Sequence, residues 1–194
     1  RRDEMVEDGD RLFQKRKFYQ SIENYKNALK IKKSPRLYLK IYSGYNALKN
    51  KVLARAYVED GLKNFPEDYY LNKIAAITNI RSRRYREALV YAERALERDQ
   101  SDYTLYTYLG LCYFHRKNYD TALQQFEKSL KLNSDAVENY YYIGLIYDNK
   151  ENYAQALKYY NVFFKLNPDT KNFKHREWIT QRIRTLKIYM QKKK

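Results

Sequence analysis

The residues of this 194-residue chain that could do acid–base or nucleophilic chemistry are few and scattered. Its two histidines, His115 and His175, stand sixty positions apart, and neither forms a metal-ligand pattern with a carboxylate or with Cys112. Cys112 is the only cysteine, which excludes an internal disulfide and a cysteine-based metal cluster. Flanked by Leu111 and Tyr113, it reads as a packing residue rather than a nucleophile. No G-x-S-x-G, phosphate-binding loop, G-x-G-x-x-G or H-E-x-x-H pattern occurs. The expectation is a chain without catalytic residues, cofactor, metal or small-molecule substrate.

What remains is recognition chemistry. The net charge is +16, and it is uneven. Residues 1–10 carry −3, residues 11–55 carry +12, residues 56–169 carry −1 and residues 170–194 carry +8. The middle also holds the basic run Arg81-Ser82-Arg83-Arg84-Tyr85-Arg86. Two readings follow. A lysine-rich face can simply be solvated, or it can bind nucleic acid or an anionic membrane surface. The candidate basic surface is Arg81, Arg83, Arg84 and Arg86, with Arg182, Arg184 and Lys187 near the C-terminus.

The elements that position these groups follow from composition and period. Five glycines and three prolines are too few for the turns of an all-β barrel, whereas 23 tyrosines and 8 phenylalanines can build a core. The longest apolar run, Tyr140 to Tyr147, is far short of the roughly twenty residues that span a bilayer. Ala88, Ala122 and Ala156 recur at a spacing of 34, and Ala54 and Ser21 continue the register backwards. Four and seven positions on come a second and third site of the same helix face, as in Ala122, Phe126 and Ser129. Upstream lies a second amphipathic stretch: Tyr106, Leu109, Gly110 and Tyr113, then Tyr140, Ile143, Gly144 and Tyr147. Small residues let a neighbouring helix approach and the aromatic fills the gap. Polar links, such as Lys117-Asn118, part the stretches, so each repeat is two antiparallel helices. Pro66 and Pro168 stop second helices.

These residues resemble the tetratricopeptide repeat (TPR) family. The resemblance runs over five units, 2–34, 35–68, 69–102, 103–136 and 137–169. It implies an all-α, right-handed α-solenoid of antiparallel helix pairs. The third unit departs from the pattern with Asn72, Ala75, Ala76 and Asn79 where large first-helix residues are usual. Residues 170–194 form a capping helix and basic tail, with Trp178, Ile179, Ile183, Leu186 and Met190 on one face of a helix over 173–191.

The resemblance also implies that first helices line a concave surface where a partner binds. By register the groove residues are Arg36, Tyr70, Lys73, Ile77, Thr107, Tyr108, Leu111, Tyr141, Tyr142 and Leu145. An exposed apolar and aromatic strip suits a peptide or an amphipathic helix of a partner protein. Family members that clamp a chaperone's terminal carboxylate use Lys, Asn, Asn, Lys and Arg. The matching positions here read Lys73, Ile77, Tyr108, Glu138 and Tyr142, so that mode is not expected. The expected function is a non-catalytic interaction scaffold or adaptor, in assembly of a bacterial multiprotein complex. The chain opens on Arg1, as a trimmed or processed product would, so cytoplasm and periplasm both stand and a removed targeting segment is allowed for.

Overall fold

The computed structural model describes residues 1–166 and 176–192. Among them are eleven α-helices and no strand. They are α1 Arg2–Gln14, α2 Phe18–Ile31, α3 Pro35–Ala47, α4 Lys51–Asn64, α5 Tyr69–Arg81, α6 Tyr85–Arg98, α7 Tyr103–His115, α8 Tyr119–Leu132, α9 Val137–Asn149, α10 Tyr153–Leu166 and α11 Arg176–Lys192. Two compact bodies result, residues 1–100 with α1–α6 and residues 101–194 with α7–α11. No described helix is long and apolar enough to cross a membrane. Pro168, His175 and the tail residues Lys193 and Lys194 lie outside the described residues, as does the start of the helix expected over 173–191.

One turn design joins the two helices of every pair. Arg16, Lys49, Arg83, Lys117 and Glu151 have φ of 58°, 59°, 58°, 62° and 57°. In each turn the next residue's N–H bonds back to a carbonyl five positions earlier, as from Asn118 to Tyr113 at 2.9 Å and from Arg84 to Asn79 at 2.9 Å. This closes the orphan carbonyls of the first helix with a left-handed residue, a place glycine usually takes. The following helix then starts on a side-chain cap where the sequence supplies Asn: Asn50 accepts from Leu53 N–H at 3.1 Å and Asn118 from Thr121 N–H at 3.4 Å.

Packing within pairs follows a size exchange. A Cβ on Gly110 would lie 2.5 Å from the Phe126 ring, on Gly144 2.6 Å from Tyr160, and on Gly9 2.5 Å from Tyr25. The bare first-helix backbone is the floor on which the second-helix ring lies. At the same two positions the second pair has Tyr42 and Val58, and the third has Ala76 and Ala92, all buried. The third pair also buries Asn72 and Asn79. The amide NH2 of Asn72 donates to the carbonyls of Pro66 and Asp68 at 2.7 and 2.8 Å, tying α5 to the link before it.

The last pair is covered by α11. Ile179, Ile183 and Leu186 are buried with Tyr160 and Phe163, each aliphatic side chain contributing about 1.5–3 kcal/mol. Trp178, expected on that inner face, is instead 46% exposed. It precedes Ile179 by about 100° of helix rotation, and Ile179, Ile183 and Leu186 already fill the contact.

Candidate functional site

Each body opens a cleft on its first-helix side. In residues 1–100 a cleft of about 500 Å³ is lined by α1, α2 and α3, with Asp10, Tyr25, Arg36, Leu39, Lys40 and Ser43 among its walls. The sequence puts a carboxylate, Asp10, four residues before the end of α1, and the fold closes it on a cation and a phenol. Lys40 donates to Asp10 Oδ1 in a short contact, and the Tyr25 hydroxyl donates to the same oxygen at 2.6 Å. Lys40 also lies over the Tyr25 ring. Burial opposes ionisation of Asp10, but the Lys40 and Tyr25 hydrogen bonds outweigh it and hold the carboxyl below its ordinary value. Burial and the Asp10 contact push the Tyr25 phenol up to about 12. Asp10 is thus neutralised internally. Arg36 is exposed at the rim, which leaves the cleft a positive mouth over an apolar wall of Leu39 and Phe13.

In residues 101–194 a cleft of about 400 Å³ is lined by Tyr103, Thr104, Thr107 and Tyr108 of α7 and by Val137, Glu138 and Asn139 of α9. Its floor is a buried polar chain. Thr107 Oγ1 pairs with Ser129 Oγ at 2.9 Å, Ser129 donates to the Tyr103 carbonyl at 2.9 Å, and Asn139 donates to Ser129 at 2.8 Å.

The predicted groove residues fall in different surroundings. Arg36 lines the first cleft, and Thr107 and Tyr108 line the second. Tyr70 is 63% exposed, while Lys73 and Ile77 beside it on α5 are half-buried. Leu111, Tyr142 and Leu145 are half-buried against the cores beneath them. Tyr141 corrects the expectation of an open anchor. It is 7% exposed, in one cluster with Phe163 and the α11 aliphatics, and burial pushes its phenol up to about 12. The reason is the cap: α11 takes the place that a further first helix would occupy, and Tyr141 packs in that seam.

The predicted basic surface divides as well. Arg81, Arg83, Arg86, Arg184 and Lys187 are exposed. Arg84 is taken up by Glu59 at 3.5 Å and Glu87 at 3.2 Å. Arg182 corrects its assignment: it grips Asp148 with two bonds of 2.8 and 2.7 Å, and Tyr160 donates to the same carboxylate at 3.3 Å. A planar guanidinium matched to a carboxylate is a fastener, not a free cation. Asp10 with Tyr25 and Lys40, and Asp148 with Tyr160 and Arg182, share one logic. A core tyrosine at the same register position meets a first-helix carboxylate, which a cation from the next helix neutralises. At that position the fourth pair has Phe126, which has no hydroxyl to satisfy. The sequence signal is a lone Asp on a first-helix inner face with Tyr, not Phe, fifteen or twelve residues on.

Cys112 is fully buried, and burial raises its thiol to about 12, as suits a packing residue. His115 ends α7 and is exposed, and no group of three metal-ligating side chains occurs among the described residues.

Comparison with known proteins gives the family. A family model described as tetratricopeptide repeat matches residues 75–137 and 118–169. No curated protein matches the chain in sequence. Among solved structures, MamA 41-end from Desulfovibrio magneticus RS-1 is similar with a TM-score of 0.79 and 15% identity, over 88% of this chain and 97% of that one. A tetratricopeptide repeat protein from Parabacteroides merdae ATCC 43184 has a TM-score of 0.79 at 16% identity, over 98% and 74%. YrrB, described as a TPR protein with an unusual peptide-binding site, has a TM-score of 0.75 at 21% identity, over 85% and 86%. At these identities the structures speak for the fold alone. With the helix pairs in register and a family model matching residues 75–169, from α5 to α10, the chain belongs to the tetratricopeptide repeat family.

Proposed function

We propose that the chain is a non-catalytic scaffold that holds a peptide or amphipathic helix of a partner protein on its first-helix faces, in assembly of a multiprotein complex. Five repeat units, 2–34 to 137–169, supply the faces, and α11 closes the end. The observation that carries this reading is the pair of solvent-open clefts, about 500 Å³ between α1 and α3 and about 400 Å³ between α7 and α9. Each joins an apolar wall to a few polar tips, the mixture that anchors a side chain and fixes its orientation. YrrB is similar in fold and is described as having a peptide-binding site, which supports the class of ligand.

A photo-crosslinking residue placed at Leu39 or at Tyr108 should capture the same partner, and one placed at the exposed Val90 of α6 should not. Capture from Val90 with none from the other two sites would place the interface on the second helices and reject the reading. Tyr141 is unsuited to the test, because a buried ring reports on folding rather than binding.

A further inference from the structure

The 34-residue period sorts the charge of residues 1–100 into space. Each helix reverses on its predecessor, so the short turns 15–17, 48–50 and 82–84 lie together at one end of α1–α6. Lys51 and Arg55 share a cleft with Arg81 and Ser82, which joins the second turn to the third. Residues 14–20, 48–55 and 81–87, which make this edge, hold ten basic groups and one acidic group, Glu87. The opposite end, residues 1–4, 30–36, 63–69 and 97–100, holds eight basic and six acidic groups. Six of the thirteen basic groups of residues 11–55 stand on this edge; four more stand at the opposite end, where carboxylates offset them.

The cations of that edge face water. Lys15, Arg16 and Lys17 on the first turn are exposed, as are Lys49 and Lys51 on the second. Arg81, Arg83 and Arg86 are exposed on the third. The ion pairs formed here, Arg55 with Glu59 and Arg84 with Glu59 and Glu87, use other cations. Between the turns stand apolar side chains open to solvent: Tyr19 at 72%, Val52 at 71% and Leu53 at 39%. Tyr19 and Val52 are both the second residue of their helices, so they stand beside the basic turns by the same geometry.

We propose that this turn edge is a docking surface for an anionic phospholipid bilayer, with the lysines and arginines on the headgroups and Tyr19, Val52 and Leu53 at the headgroup–acyl boundary. A one-signed edge alone would suit any polyanion. Exposed aliphatic side chains among the cations gain nothing from a nucleic-acid backbone but are stabilised in the interface of a bilayer. The chain is thereby held at the membrane by the turn edge of α1–α6.

The test is co-sedimentation of the full chain with vesicles of phosphatidylcholine, with and without phosphatidylserine, at about 0.15 M salt. Binding is expected only to vesicles with phosphatidylserine. Lys15→Glu/Lys17→Glu/Lys51→Glu should lower partitioning about tenfold or more. Lys30→Glu/Lys32→Glu/Lys63→Glu at the other end changes net charge equally and should lower it far less. Tyr19→Ser/Val52→Ser should lower it about threefold or more, by removing interfacial apolar surface. All these positions are exposed and none has positive φ, so the variants keep the fold, which circular dichroism verifies. No binding to phosphatidylserine vesicles overturns the proposal, as do equal losses in the two charge variants. Unchanged partitioning of Tyr19→Ser/Val52→Ser, or binding of a single-stranded oligonucleotide in place of vesicles, also overturns it, in favour of a phosphate-only polyanion site.

Discussion

At the scale of single residues, two positions in the fourth repeat carry opposite backbone demands. Gly110 must have no side chain, since a Cβ would sit 2.5 Å from Phe126 Cε1 and 2.6 Å from Cδ1. The ring is locked in the core and cannot yield cheaply. Gly110→Ala should therefore destabilise by about 2–3 kcal/mol in urea unfolding. Gly61→Ala, whose Cβ would meet Tyr38 and Leu71 at 3.0 and 3.1 Å, should cost less. The turn residue makes the reverse demand. Lys117 holds φ of 62° without being glycine. A left-handed conformation costs a side-chain-bearing residue about 1–2 kcal/mol, and glycine's looser unfolded chain returns part of that. Lys117→Gly should raise stability by about 0.5–1 kcal/mol in the same assay. The small-residue column at 34-residue spacing shows in the sequence because packing requires it. The left-handed turns do not, because two arginines, two lysines and a glutamate stand where glycine would mark the turn.

At the scale of elements, carboxylate fasteners hold helices to their successors. Asp10 joins α1 to α2 and α3 through Tyr25 and Lys40. Its carboxyl is held below the ordinary value when folded, so its contribution is complete above the ordinary carboxylate range and is lost as pH falls from that range through the lowered folded value. The acid limb of stability, followed by urea midpoints from about pH 6 to pH 3, should be shallower in Asp10→Asn than in the wild type. An unchanged limb would mean that Asp10 contributes nothing to acid sensitivity. Asp148 is the stronger fastener. Its side chain is 8% exposed, and Arg182→Ala would leave it buried without its cation, at a cost of about 3–5 kcal/mol. The helix pairs were legible in the sequence because amphipathic spacing is local. The fasteners were not, because Asp148 and Arg182 are 34 residues apart on helices whose contact only the fold creates. Tyr141 was misplaced for the same reason: its register marked an inner face, and whether that face is open depends on the helix that follows.

At the scale of the molecule, 39 basic groups against 23 acidic ones make self-repulsion a term in stability. Surface ion pairs pull the other way, but exposed pairs such as Arg11 with Asp8 are worth about 0–1 kcal/mol each and are themselves screened by salt. Glu59 and Glu87 pair with Arg55 and Arg84 and offset only part of the repulsion among the ten cations at one end of α1–α6. Repulsion should prevail, so the unfolding temperature should rise as salt is raised from about 0.02 to 0.3 M, over which the Debye length shrinks from roughly 20 Å to roughly 6 Å. A falling temperature would mean that the ion pairs dominate. The variant Lys15→Glu/Lys17→Glu/Lys51→Glu separates the sources. Lys17 and Lys51 stand at the starts of α2 and α4, where a carboxylate complements the helix dipole. That variant should be the more stable form at low salt and should lose most of the salt dependence. Reversal of Lys30, Lys32 and Lys63 at the opposite end should keep most of it, because there six carboxylates already share the field. A chain that accepts this repulsion when alone has a reason to do so if the edge meets anions in use, and screening by salt and screening by a surface should then act on the same residues.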